Sequence, residues 1–143
     1  MPIRLSQPKE PREFKLPLDV AVKTRPCTTP VIEMAMSRSG RVIGDIEQGM
    51  TDLSLVGHDV DSLRDLIRNP DYRAGIAQFA YACALGEALI MEWSGSGVQD
   101  EDGNVGPITP DNIRDVMLHP SIARTFVAEV TKIPVALASE GNG

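Results

Sequence analysis

The amino-acid sequence predicts a mainly α fold of the α+β class, in which a short N-terminal β segment precedes a body of three to five helices. Residues 14–25 alternate apolar and polar side chains, which is typical of a half-buried strand. Residues 59–133 place apolar side chains at helical spacing, and polar residues followed by proline mark several helix starts. A chain of 143 residues can bury one core, so we expect a single domain over residues 14–135.

The segments that flank this domain are predicted to lack fixed structure. Prolines and charged residues dominate residues 1–13, and such a composition predicts a flexible N-terminal arm. The polar end of the sequence, residues 136–143, is expected to be a disordered tail. The strand predicted over residues 14–25 contains Pro17, which favours an edge position in a sheet. We expect that strand to pair within its own fold.

The segment from residue 28 to residue 50 is ambiguous. Thr29 and Pro30 could cap and begin a helix. Three glycines between residues 40 and 49 argue against it, because each weakens a helix by about 1 kcal/mol. The sequence GRVIGDI fits a strand or a hairpin arm equally well, so both alternatives stay open.

Two helices are predicted between residues 59 and 93. The first covers residues 59–69, with Asp61 as its cap. Asn69 can cap the second and Pro70 can take its first position. This second helix is expected to run to Trp93 as the central core helix, because its apolar residues recur at spacings of three, four or seven.

The remaining sequence predicts a loop and two short helices. Residues 94–108 are rich in glycine and acidic residues, and a tight turn is expected around Gly103. Thr109 can cap the next helix, since Pro110 follows it directly. His119 stands before the proline that begins the last helix, and we expect it to be a cap or a surface residue.

Composition excludes several classes of protein. The net charge is −6, but residues 1–41 hold eight basic and four acidic residues, whereas residues 42–143 hold six basic and sixteen acidic ones. The excess of acidic residues over 42–143, which we call the acidic body, disfavours binding to negatively charged nucleic acid. Cys27 and Cys83 form neither a disulfide framework nor a zinc motif. Apolar runs are too short for a membrane span. We therefore expect a cytoplasmic protein with no nucleic-acid or membrane partner.

No motif in the sequence predicts catalysis, a cofactor or a metal. Asp100, Asp102 and Asn104 imitate the start of a calcium-binding loop, but such a loop needs glycine at position six and glutamate at position twelve. Those positions hold Val105 and Asp111. A phosphate-binding loop and a nucleophile elbow are missing, and neither histidine has an evident catalytic partner. We expect a protein that is not an enzyme.

The C-terminal half of the sequence has a distinctive order of helix ends, turns and helix starts. A helix ends in ALIMEW (88–93), and the acidic turn SGSGVQDEDGNVGP (94–107) follows. The segment ITPDNI (108–113) then opens a helix, and a proline precedes the closing helix SIARTFVAEVTK (121–132). Over residues 60–133 this order resembles the tail assembly chaperones of long-tailed bacteriophages. The strand-like FKLPLDVAV would suit the family's short β segment.

This resemblance implies a non-enzymatic role in the host cytoplasm. Chaperones of this family bind the helical tape-measure protein, keep it soluble and recruit major tail subunits. The residues expected to contact partners are the apolar and aromatic side chains Tyr72, Phe79, Trp93, Met117 and Phe126. Two alternatives stay open: a structural connector or minor component of a phage particle, and a small acidic inhibitory or regulatory binding protein. A homo-oligomer is possible in any of these, with the basic N-terminal segment docked on another copy's acidic body.

Overall fold

The computed structural model describes residues 10–49 and 59–132, and within them the fold is mainly helical with a small antiparallel sheet. The predicted fold class is confirmed. In chain order the elements are β1 (Arg12–Leu16), β2 (Val20–Thr24), α1 (Thr29–Glu47), α2 (Val60–Leu66), α3 (Pro70–Leu89), β3 (Ile90–Ser94), a 3₁₀ turn (Ser96–Val98), α4 (Pro110–Met117) and α5 (Pro120–Val130). The sheet order is β1-β2-β3, and both pairings are antiparallel. Most of the predicted arm and the whole predicted tail lie outside the described residues.

The single strand predicted over residues 14–25 is wrong, because this segment forms the β1–β2 hairpin. The hairpin turns at Leu18 and Asp19, whose φ angles are 61° and 54°. Leu16 pairs with Val20 across a three-residue turn. Because the turn contains an odd number of residues, apolar and polar side chains alternate with the same phase in β1 and β2. The sequence therefore shows one unbroken alternation across the turn. The hairpin also begins earlier than expected, since β1 starts at Arg12 inside the predicted arm.

The hairpin turn is held by the segment that follows β3. The Asp19 carboxylate accepts hydrogen bonds from the Ser96 backbone N–H at 3.0 Å and from its hydroxyl at 2.7 Å. The Gly97 N–H donates to the Asp19 carbonyl at 3.0 Å. A side chain at Gly95 would collide with that carbonyl, and its φ of 102° is itself unfavourable for other residues. Glycine is therefore required where the two segments meet.

The ambiguous segment is a helix, α1, in spite of its glycines. α1 packs along α3 and buries Ala35, Val42 and Ile46. The Ser39 hydroxyl donates to the Ala77 carbonyl of α3 at 2.7 Å. This packing outweighs the low helix propensity, as tertiary contacts commonly do.

The central helix α3 ends at Leu89, four residues before the predicted end at Trp93. Ile90–Ser94 continues as β3, in which Trp93 pairs with Val22 of β2. The sheet therefore overrides the helical spacing at this end. α3 contributes to both buried clusters: one with the sheet, α4 and α5, and a smaller one with α1 and α2.

Of the predicted caps, Asn69 and Thr109 are confirmed, whereas Thr29 is wrong, because Thr28 precedes α1 and makes no capping bond with its side chain. Asn69 accepts hydrogen bonds from the first turn of α3, and Thr109 accepts one from the Asn112 N–H at 3.2 Å. α2 is capped by Asp59, not by Asp61, because the Asp59 carboxylate accepts from the Ser62 N–H at 2.8 Å. His119 is exposed at the start of α5 and makes no capping bond with its side chain.

Candidate functional site

An apolar groove lies between α3 and α5. Its cavity volume is about 690 Å³. Lining residues come from one face of α3, one face of α5, and the end of α4 with the residue after it. We call this feature the α3–α5 groove.

The α3 wall is a helical stripe with a gap in it. Tyr72, Ile76 and Phe79 line the groove at helical spacing, from the first turn of α3 to its middle. Gly75 lies between them and is exposed. A Cβ built on Gly75 would have no described heavy atom outside its own helix backbone within 4 Å. The absence of a side chain at Gly75 therefore leaves space for a segment of another protein beside the α3 backbone.

The α5 wall is built largely from small side chains. Ala123, Val127 and Ala128 line the groove at spacings of four and one, and Pro120 lines its beginning. Met117 belongs to the same lining although it is only 2 % exposed. Because these side chains are small, the α5 side of the groove is a shallow apolar surface.

The groove gathers three of the five predicted contact residues. Tyr72 and Phe79 are half-buried and line it, as does the nearly buried Met117. Phe126 is fully buried, with its ring centroid 6.2 Å from that of Phe14. Trp93 is 9 % exposed, and its indole N–H donates to the Gly106 carbonyl at 2.7 Å. Trp93 and Phe126 are core residues that hold the loop and the sheet, and they are not among the lining residues.

The electrostatics of the groove come from its rim, not from its walls. Asp71, Gln78 and Arg124 are exposed lining residues. Tyr81 also lines the groove, and burial, assisted by the nearby Cys27, raises the pKa of its hydroxyl. Tyr81 therefore stays neutral over the physiological range. The groove combines an apolar interior with one acidic and one basic residue at its rim.

The cysteines supply no activated nucleophile. Burial raises the pKa of the Cys83 thiol to about 12 and also raises the pKa of Cys27. Both thiols are free and protonated at neutral pH, and a thiol is a poor nucleophile compared with its thiolate. Cys83 lies in the core as a small hydrophobic residue.

The acidic loop satisfies its own hydrogen bonds. Asp100 accepts from the backbone N–H groups of Asp102 at 2.9 Å and Asn104 at 3.0 Å. The chain turns at Gly103, where φ is 82°. Within residues 10–49 and 59–132, no group of three or more histidine, cysteine, aspartate or glutamate residues could hold a metal ion. In the same residues, no helix is long and apolar enough to span a membrane.

Sequence reasoning missed the α5 wall and Gly75. The sequence did contain a signal for Gly75. A glycine in the interior of a helix lowers the stability of that helix, and it usually has a packing or functional role. The α5 wall had no such signal, because Ala123 and Val127 fit the buried stripe of α5 equally well. Comparison of the chain with protein-family models, curated protein sequences and solved structures found no match.

Proposed function

We propose that this protein is a non-enzymatic tail assembly chaperone of a long-tailed bacteriophage, which binds helical segments of the tape-measure protein in the α3–α5 groove. The observation that carries the proposal is the groove itself, an apolar channel walled by two helix faces. Recognition of an amphipathic helix in such a groove is a common mode of peptide binding. The resemblance of residues 60–133 to this chaperone family supplies the identity of the client.

The dimensions of the groove suit a helix. Its lining on α3 runs from Asp71 to Ala82, which is about 16 Å at 1.5 Å per residue. A client helix of about three turns would match this length. Gly75 and the alanines of α5 permit the close approach that packed helices need, with axes about 8–10 Å apart.

The rim charges select the client further. Asp71 and Arg124 carry opposite charges, so a suitable helix has an apolar stripe flanked by both basic and acidic residues. The acidic body of residues 42–143 keeps the chaperone itself soluble. Its charge would favour encounter with basic client segments, and added salt would weaken that attraction. Recruitment of major tail subunits in the host cytoplasm belongs to the same proposal, through the family resemblance.

The test is co-expression with the tape-measure protein of the same phage, a very long helical protein. We expect the chaperone to keep that protein in the soluble fraction and to co-purify with it. Gly75→Gln fills the groove from the α3 side and should abolish both effects. Gly40→Gln is the matched control, since a Cβ at Gly40 also meets no described heavy atom within 4 Å beyond its own helix backbone, and Gly40 lies on α1.

Two results would overturn the proposal. One is a long helical protein that stays insoluble and unbound when the wild-type chain is present. The other is equal loss of binding in both glutamine variants, because that would place the effect outside the groove. A gene position between a major tail protein and the long helical protein would support the assignment independently.

A further inference from the structure

Among residues 10–49 and 59–132, β1 is an edge strand that pairs on one side only. Its partner is β2, and no other described strand lies beside it. The inner face of β1 is covered by α5, where Phe14 packs on Phe126 and the Arg12 guanidinium donates to the Glu129 carbonyl at 2.6 Å. The other side of β1 carries a row of backbone N–H and C=O groups in the plane of the sheet, and such a row is a template for another strand.

The sequence of β1, REFKL, is complementary to itself in an antiparallel arrangement. If Phe14 faces the Phe14 of a second copy, Glu13 lies opposite the second copy's Lys15. The two-fold symmetry repeats this pair, with Lys15 opposite the second Glu13. Glu13 and Lys15 are exposed and alternate with the inward Phe14, so all four charges lie on the outer face of the sheet. Opposite charges directly across a strand pair stabilise it.

The charges on the neighbouring strands continue the same pattern. Glu13 lies opposite Lys23, and Lys23 lies opposite Glu92 with 4.0 Å between Nζ and Oε2. A second copy's Lys15 would extend this row with the next alternating charge. Lys15 itself lies opposite Ala21, so a second copy's Glu13 would supply the acidic cross-strand neighbour that β2 does not provide.

The other edge of the sheet, β3, lacks this complementarity. Its sequence is IMEWS, with Glu92 at the centre. Two-fold antiparallel pairing about that centre would set two carboxylates directly opposite each other, which is unfavourable. The charge pattern therefore favours β1 over β3 for pairing between copies.

We propose that two copies of this chain pair through β1, antiparallel and with Phe14 at the two-fold axis, to form a six-stranded sheet. The strand order is β3-β2-β1-β1′-β2′-β3′, where primes mark the second copy. Pro11 and Pro17 flank β1 and limit the pairing to its five residues, which span about 17 Å. So short an interface makes a weak dimer whose population depends on protein concentration.

The first test reverses one charge at a time and then mixes the variants. On the outer face of β1, Lys15→Glu leaves two acidic residues and Glu13→Lys leaves two basic ones, so each variant repels its own copy. Sedimentation velocity over a concentration series should show each self-association weakened by about tenfold or more. An equimolar mixture should restore the dimer, because both acidic residues of one variant then lie opposite the two basic residues of the other. Thermal unfolding of each variant alone confirms that it is folded.

Three outcomes would overturn the proposal. The wild-type chain could remain monomeric at every concentration, or Lys15→Glu could leave self-association unchanged. The third is a mixture that associates no better than its components, since this would mean that the charges act within one chain.

A second measurement tests the register in a Cys27→Ser background. Residues directly opposite in antiparallel strands have Cα atoms about 4.5–5.5 Å apart, within the range that a disulfide spans. Under mild oxidation, Glu13→Cys mixed with Lys15→Cys should cross-link. Each variant alone should cross-link far less, because its two cysteines are diagonal across the pair. Equal cross-linking in all three samples contradicts the register.

Discussion

Adding one methyl group to α3 should raise the stability of the protein at Gly75 and lower it at Gly86. Both glycines lie inside the same helix, so the gain in helix propensity on changing either to alanine is about 1 kcal/mol. At Gly75 the new Cβ meets no described heavy atom outside its helix backbone within 4 Å. Gly75→Ala should therefore realise the full gain, which corresponds to a rise in Tm of about 3 °C for a chain of this size.

At Gly86 the same change overpacks the core. The new Cβ would lie 2.9 Å from Ile113 Cγ2 and 3.2 Å from Met117 Cε. Ile113 is 2 % exposed, and its Cγ2 is attached directly to the β-carbon, so it moves aside only by a change of χ1, which is restricted in a helix, or by a shift of α4. Overpacking of this kind costs about 2 kcal/mol, which leaves a net loss of about 1 kcal/mol after the gain in propensity.

The measurement is thermal and urea unfolding of both variants beside the wild type. We expect Tm values that differ by about 6 °C between Gly75→Ala and Gly86→Ala. A decrease in stability for Gly75→Ala would show that the groove is filled by the chain itself. An unchanged or increased stability for Gly86→Ala would refute the close packing of α3 against α4.

Three further predictions concern single side chains. Hydrogen bonds from the Ser96 backbone N–H and hydroxyl, together with the positive charge of Lys15, hold the pKa of Asp19 below its usual 3.8. The ionised carboxylate therefore stabilises the hairpin turn fully above about pH 3.8. This stabilisation is lost as the pH falls through the lowered pKa of the folded state. An NMR titration should show this, and Ser96→Ala should move the pKa upward. Trp93→Phe removes the donor to the Gly106 carbonyl and should lower the free energy of unfolding by about 1–3 kcal/mol; unchanged urea unfolding would contradict this. Because burial raises the pKa of Cys83 to about 12, its thiol should resist iodoacetamide at about pH 8 in the folded protein and react on unfolding, as mass spectrometry can follow.

Local signals in the sequence predicted the helix starts well. Asn69 and Thr109 cap their helices because an amide or hydroxyl oxygen reaches the free N–H groups of the first turn, an interaction contained within a few residues. The prediction of Asp61 as a cap failed by two positions, where Asp59 offers the same chemistry. Choosing between two nearby carboxylates requires the backbone conformation, which the sequence does not state.

Features that depend on distant segments were predicted poorly. Ile90–Ser94 continues the helical spacing of α3, and it becomes a strand because β2 lies beside it. The turn at Leu18 gave no signal in the sequence, because apolar and polar residues alternate with the same phase before and after it. The same limit applies to the groove: the spacing of Tyr72 and Phe79 indicated an apolar stripe, but only the position of α5 decides how much of that stripe stays uncovered.

The groove and the β1 edge use different elements, so client binding and dimerisation should be separable. α5 contacts both regions: Phe126 supports Phe14 under the sheet, whereas Ala123 and Val127 face the groove. Gly75→Gln should lose the client and keep the dimer, and Lys15→Glu should lose the dimer and keep an intact groove.

The two proposals together predict how a long client distinguishes these variants. A dimer presents two grooves, and binding at one raises the effective concentration at the other, which can increase apparent affinity by about 10²–10⁴. A peptide with one helical site should bind wild-type protein and Lys15→Glu equally by isothermal titration calorimetry. A client with two sites should bind Lys15→Glu much more weakly than wild type, provided that its linker spans both grooves. Equal affinities for the two-site client would mean that each copy of the protein binds alone, even if the β1 dimer forms.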